Sequence, residues 1–200
     1  MKPFPNKIPL ANLPTKIEKL ERFSEQTGIS VYIKRDDLTG MEYSGNKIRK
    51  LEYAVREALD QGADTLITCG GLQSNHCRAT AAAAVKLGLT TWLVLSSADK
   101  EPPVDGNYFI DCLLGADVRI IDAESYRSRR GEIMEELAAE YAAAGRKAYI
   151  IPEGASNGIG TFGYLACMQE IMEQERELGV TFDTIAVSYT HLTLPTNSRV

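Results

Sequence analysis

Six short β-branched runs, at 31–34, 65–69, 91–95, 118–121, 148–151 and 184–187, alternate along this chain with longer stretches of helical periodicity. A short strand, a helix and another strand in succession make a βα unit, whose crossover lays the strands parallel and covers the sheet with helices. The expected fold class is therefore α/β, with open, mostly parallel sheets and flanking helices.

The helices sit between clear stop signals. The first begins near Lys47, with Ile48, Leu51, Val55, Ala58 and Leu59 at helical spacing, and ends at Gly62. Ser44 or Asn46 is expected to cap its free amides. Others are expected at 75–87 before Gly88, at 105–114 before Gly115, at 125–144, and at 161–178 before Gly179. The alanine run 79–84 suits close packing on a sheet. The charges on the fourth helix read as a solvated face.

A net charge of -5, spread along the chain, offers no basic stripe for nucleic acid. No apolar run approaches the roughly 20 residues of a membrane span, and Met1-Lys2-Pro3-Phe4-Pro5 lacks a secretory leader's apolar stretch, so a cytoplasmic location is expected. Cys69, Cys77, Cys112 and Cys167 show no metal-ligand or disulfide spacing and read as free thiols.

Two segments point to chemistry. Lys34-Arg35-Asp36-Asp37-Leu38-Thr39-Gly40, followed by Ser44-Gly45-Asn46-Lys47, puts a glycine-bearing loop before a helix and a lysine in its first turn. The partial positive charge of a helix N-terminus disfavours an ammonium, so the Lys47 pKa should fall, as an imine-forming lysine requires. The alternative is a solvated lysine beside a cap. Cys69-Gly70-Gly71-Leu72-Gln73-Ser74-Asn75-His76 follows a strand and opens a helix, where backbone amides can receive a carboxylate or phosphate. The alternative here is a Gly-Gly turn with Ser74 as a cap, and His76 is expected to pack locally rather than act as a base.

Three further patterns compete. Gly158-Ile159-Gly160-Thr161-Phe162-Gly163 spells a dinucleotide fingerprint with Asp183 beyond it, which would suit an NAD-linked oxidoreductase, but six residues part it from the preceding strand. The stretch from Gly40 to Lys47 misses the phosphate-binding P-loop, because Asn46 stands at the lysine position and Ile48 at the Ser/Thr position. With only His76 and His191 and no G-x-S-x-G elbow, a serine hydrolase is hard to assemble.

Leu13-Pro14-Thr15, Ile33 to Gly40, Gly45-Asn46-Lys47-Ile48-Arg49-Lys50-Leu51-Glu52, Gly70 to His76, and Pro152-Glu153-Gly154 follow one another in a diagnostic order. Over about residues 8–187 the chain resembles the D-cysteine desulfhydrases and 1-aminocyclopropane-1-carboxylate (ACC) deaminases, of the tryptophan-synthase-β-like fold. The resemblance implies pyridoxal 5'-phosphate as cofactor, with Lys47 as the Schiff-base lysine and the base that takes the α-proton. It also implies that Asn75 bonds the pyridoxal ring oxygen, that Ser74 contacts the substrate, and that the amides of Asn75 and His76 receive the substrate carboxylate. The implied reaction is a lyase reaction, α,β-elimination from D-cysteine to pyruvate, ammonia and hydrogen sulfide, or opening of a cyclopropane ring. The implied partners are a small amino-acid substrate and a second copy of the chain in a homodimer.

The same resemblance divides the chain into a small open-sheet domain at 51–157 and a partial large domain made of 1–50 and 158–187. Residues 188–200 carry no glycine where the family holds the cofactor phosphate, so they read as a tail foreign to the family. The expectation for the 200-residue chain alone is weak cofactor retention and little activity. A non-catalytic amino-acid-binding module at Ser74 and Asn75 is the third alternative.

Overall fold

The computed structural model describes residues 4–40 and 44–187. In chain order its elements are β1 (Ile17–Lys19), α1 (Glu21–Thr27), β2 (Tyr32–Lys34), α2 (Lys47–Asp60), β3 (Thr65–Gly71), α3 (Asn75–Leu87), β4 (Thr90–Ser96), α4 (Gly106–Leu113), β5 (Asp117–Ile121), α5 (Ala123–Ala143), β6 (Ala148–Ile150) and α6 (Gly158–Leu178), with short 3-10 turns at Asp36–Leu38 and Glu153–Ala155.

The expected α/β class holds. Strands β3 to β6 form one parallel sheet in the order β5-β4-β3-β6, with Cys69 opposite Val94 and Ile67 opposite Ile150. Side chains alternate across each strand. Ile67, Cys69 and Val94 face Ile133, Met134 and Leu137 of α5. Leu93 and Leu95 meet Cys77 and Ala81 of α3 on the opposite face. Ala79, Ala82, Ala83 and Ala84 join Ile48, Leu51, Val55 and Ala58 of α2 in the core on that side. The small alanines let α3 lie close to both the sheet and α2.

Outside this sheet, β1 and β2 form an antiparallel pair in which Ile17 lies opposite Lys34. Neither β1 nor α1 is expected from the sequence. Each is short, and α1 buries no residue, so no hydrophobic period announces it.

The expected strand at 184–187 is absent: these residues adopt no regular structure, and Ile185 and Val187 are exposed. A strand requires a neighbour that bonds its amides and carbonyls. Among the described residues no ladder includes 184–187, so β propensity alone has nothing to act on. The tail expected at 188–200 lies outside the described residues.

Helices α2 and α6 pack at backbone contact. A Cβ built on Gly163 would lie 2.4 Å from the Arg49 carbonyl oxygen and 2.7 Å from the Lys50 nitrogen. Gly163→Ala should therefore force the two helices apart and cost about 1–3 kcal/mol, measured by urea denaturation. A variant as stable as the parent would show that the contact gives way freely.

One carboxyl group is enclosed without a hydrogen bond among the described residues. Asp111 of α4 is fully buried, and neither carboxylate oxygen finds a hydrogen-bond partner among the described residues. Burial pushes its pKa up to about 7, against the opposing pull of Arg78. Because the folded value is raised, the folded state holds a proton that the unfolded chain has lost, and stability falls as pH rises from about 4 to 7. Asp111→Asn should raise stability by roughly 2 kcal/mol at about pH 8 and leave it unchanged near pH 4. Melting temperatures that shift equally at both values would contradict this.

Candidate active site

Lys47 is the first residue of α2 and is buried, 7% exposed. Its Nζ donates to Asn46 Oδ1 at 2.9 Å. The expected capping does not occur: Asn46 has helical backbone angles and makes no side-chain cap bond, because its carbonyl is engaged by the lysine it precedes. Burial pushes the pKa of the nearby Tyr164 hydroxyl up to about 12, against the opposing pull of Asn46. The Lys47 pKa is lowered as expected, although the cause is burial of the ammonium.

A second amine lies one turn on. Burial and the nearby charge of Lys47 bring the Lys50 pKa down to about 8, and its Nζ donates to Ser156 Oγ at 3.0 Å. Lys47 is therefore chemically prepared but not unique in being so. Between the two amines runs the turn Glu153–Ala155. Its Gly154 has a φ of 64°, and a Cβ there would come within 3.4 Å of Lys47 Cε. That left-handed backbone favours glycine.

The second expected segment stands at the carboxyl end of β3. Ser74 caps α3, its Oγ accepting from the Cys77 amide at 3.2 Å, so the capping alternative for Ser74 holds. Gly70 makes room for this: a Cβ there would lie 2.6 Å from Ser74 Oγ. The amides of Asn75 and His76 occupy the first two helical positions, which no earlier carbonyl of the helix reaches, at its positive end. His76 is buried and packs locally, as expected. Thr68 gives its single hydroxyl proton to the Ile151 carbonyl at 2.7 Å, so His76 Nε2 donates to Thr68 Oγ1 at 2.9 Å.

The structure joins the two segments through Arg78 of α3. Its Nη2 donates to the carbonyl of Ser44 at 2.8 Å and its hydroxyl at 3.1 Å, just ahead of Lys47. Two concave regions, of about 320 and 470 Å³, are lined by other residues than Lys47, Ser74, Asn75 and His76. The larger one reaches Glu153 and Ser156, on the turn beside Lys47.

Behind Lys47 lies a charge network that sequence reasoning missed. Arg49, 1% exposed, grips Asp36 through Nε and Nη2, each at 2.8 Å, and reaches Glu170 with Nη1 at 2.8 Å and Thr15 Oγ1 with Nη2 at 3.0 Å. Lys34 donates to Glu170 and to the Thr15 carbonyl, the latter at 2.7 Å. Thr15, Lys34, Asp36 and Arg49 all lie in the motif runs, and here they hold α2 against α6 and β2. Only the diagnostic order of those runs could have drawn attention to them.

The dinucleotide fingerprint is accounted for by packing. Asn157 caps α6, its Oδ1 accepting from the Gly160 amide at 3.0 Å, and the Glu153–Ala155 turn separates β6 from it. A Cβ on Gly160 would lie 2.0 Å from the Ala155 carbonyl oxygen, and Gly163 meets Arg49. Three cysteines are buried and Cys112 is exposed, all as free thiols. Among the described residues no metal-ligating group gathers, and no helix is long and apolar enough to cross a membrane.

The donor set fits a pyridoxal cofactor. A buried amine of lowered pKa, an amide side chain and a helix N-terminus supply an imine-forming group, a donor to a ring oxygen and an anion site.

Comparison with known proteins agrees with that fit. The family model described as pyridoxal-phosphate dependent enzyme matches residues 8–194. The chain is 44% identical over 196 residues to the mitochondrial bifunctional D-cysteine desulfhydrase/ACC deaminase of Arabidopsis thaliana, covering 94% of this chain and 49% of that protein. It is 40% identical over 191 residues to the D-cysteine desulfhydrase of Serratia proteamaculans, covering 91% and 56%. The crystal structure of an ACC deaminase homologue matches with a TM-score of 0.78 at 44% identity, covering 86% of this chain and 51% of that one. A fungal L-serine ammonia-lyase from Rhizomucor miehei shares the fold, with a TM-score of 0.65 at 15% identity and coverage of 84% and 48%. The chain spans about half the length of the curated relatives it matches.

Proposed function

Because this chain belongs to the pyridoxal-phosphate dependent enzyme family, we propose that the protein is a lyase that releases pyruvate, ammonia and hydrogen sulfide from D-cysteine and water. The observation that carries the reading is the Lys47 amine, buried and of lowered pKa at the head of α2. The names of the Arabidopsis and Serratia relatives support D-cysteine as the substrate.

Pyridoxal phosphate, when bound, supplies an electron-withdrawing ring that stabilises negative charge at the substrate α-carbon. In this reading Lys47 would hold the cofactor. The Asn75 amide would donate to the ring oxygen, and the amides of Asn75 and His76 would receive the substrate carboxylate. Lys47 Nζ would take the α-proton, a task that burial favours by disfavouring its ammonium form. Ser74, at the same helix end, would contact the substrate. The small domain at 51–157, the large domain built on 1–50 and 158–187, a homodimer and a cytoplasmic location complete the proposal.

The relatives named ACC deaminase support a second reading, ring opening of ACC to 2-oxobutanoate and ammonia. The test is release of 2-oxo acid from D-cysteine, L-cysteine and ACC, with sulfide measured in parallel. D-cysteine turnover with sulfide in equal amount is the expected result. Turnover of ACC alone would replace it with the second reading, and turnover of L-cysteine alone would reject both.

A further inference from the structure

A guanidinium sets the polarity of two side-chain amides at this site. Arginine donates hydrogen bonds and accepts none. Arg78 Nη1 lies 2.8 Å from Asn107, so the atom Asn107 presents to it is the carbonyl Oδ1. Asn107 Nδ2 is thereby turned to the loop ahead of α3, where it donates to the Gln73 carbonyl and to Asn75 Oδ1, each at 2.9 Å. The acceptor of Asn75 is committed in turn. Its Nδ2 points away from Asn107 and donates to no described residue. Turning the Asn107 amide over would set NH₂ against the guanidinium and carbonyl against two carbonyls, so the chain of bonds has one sense only.

The parts are held in place. Arg78 is buried and anchored to Ser44 on its other side. The backbone N–H of Asn107 donates to Gln73 Oε1 at 2.7 Å, and Gln73 Nε2 donates to Asp105 Oδ1 at 3.0 Å. Gly106, with a φ of 52°, permits this, since a Cβ there would lie 2.4 Å from Gln73 Oε1.

We propose that Asn107 is a positioning residue that fixes the Asn75 side chain as a hydrogen-bond donor for an anionic ring oxygen, such as the one pyridoxal phosphate carries, with Arg78 setting the direction. This rests on the reading of Asn75 as a cofactor contact. Asn107 itself touches neither cofactor nor substrate.

The test replaces Asn107 with aspartate, which still accepts from Arg78 but has no proton for Asn75. In ¹⁵N-labelled, cofactor-free protein, the Nδ2 protons of Asn75 should show large temperature coefficients in the parent. In Asn107→Asp those coefficients should become small, as the amide turns over and donates to the new carboxylate. Unchanged coefficients would overturn the inference without any need for cofactor to bind. Pyridoxal phosphate affinity should fall roughly fivefold to tenfold in Asn107→Asp, its visible band should shift, and Asn75→Ala should do the same. Adding Asn107→Asp to Asn75→Ala should change nothing further, whereas full additivity would show that Asn107 does not act through Asn75. Asn107→Ala, which lets the Asn75 amide rotate, should fall between parent and Asn107→Asp. A null effect of Asn75→Ala alone would instead remove the reading of Asn75 as a contact. An effect of Asn75→Ala with none from Asn107→Asp would remove only the present inference.

Discussion

Replacing Lys47 with alanine is expected to lower 2-oxo acid release by roughly three orders of magnitude and to abolish covalent retention of pyridoxal phosphate after borohydride reduction. An amine forms an imine only in its unprotonated state, and burial disfavours the charged form of Lys47. The discriminating control is Lys50, whose pKa lies at about 8 and whose depression owes part of its size to the charge of Lys47. Removing Lys47 relieves that repulsion, so the Lys50 amine becomes more basic and a poorer substitute. Lys50→Ala should leave the modified peptide in place. If the reduced cofactor were found on Lys50, or if Lys47→Ala retained it, the assignment of the cofactor lysine would be wrong.

Arg49→Met is expected to cost about 3–5 kcal/mol at neutral pH, a large share of a total stability of about 5–15 kcal/mol. The guanidinium is enclosed and is the common partner of Asp36 and Glu170. Its removal leaves two half-buried carboxylates without their guanidinium, with Lys34 to serve only Glu170. The sign of the pH dependence follows. In the parent, burial alone would raise the Glu170 pKa, and the bonds from Arg49 and Lys34 outweigh it and hold the value below the usual range. A lowered carboxylate pKa stabilises the fold above about pH 4.5 and loses that contribution as pH falls. In the variant Glu170 loses the bonds from Arg49 that lower its pKa and protonates more readily, so the deficit should be greatest above about pH 5 and shrink toward pH 4. Urea denaturation across that range measures it. A loss under about 1 kcal/mol at neutral pH, or one that grows toward acid, would show that the network matters little.

The parallel sheet was legible because each of its strands is a compact β-branched run closed by a glycine stop before or after its helix. The position of Lys47 and the helix-opening place of Ser74 were legible for the same local reason. What escaped depends on distance along the chain. Glu170 lies in α6 with no local signal of a role, and its meaning comes from Arg49, 121 residues away. Asn107 looks like an ordinary early-helix polar residue until Arg78 and Asn75 are placed around it. The cap expected of Asn46 failed because the Lys47 amine claims its side-chain carbonyl. The strand expected at 184–187 failed because pairing is a property of two segments. The lowered pKa of Lys47 was reached by a helix-dipole argument, although burial governs it, and burial is set by neighbours that a linear reading does not see.

The contact between α2 and α6 also bears on the order in which the molecule comes together. Neighbouring βα units, such as β3 with β4, close over short stretches of chain, while the Arg49–Glu170 pair must bring together ends 121 residues apart. The sheet and the loop that opens α3 can thus assemble before the helix that bears Lys47 is backed by α6. The ion pair of Arg49 with Glu170 is therefore expected to form late in folding, after the sheet that α2 covers.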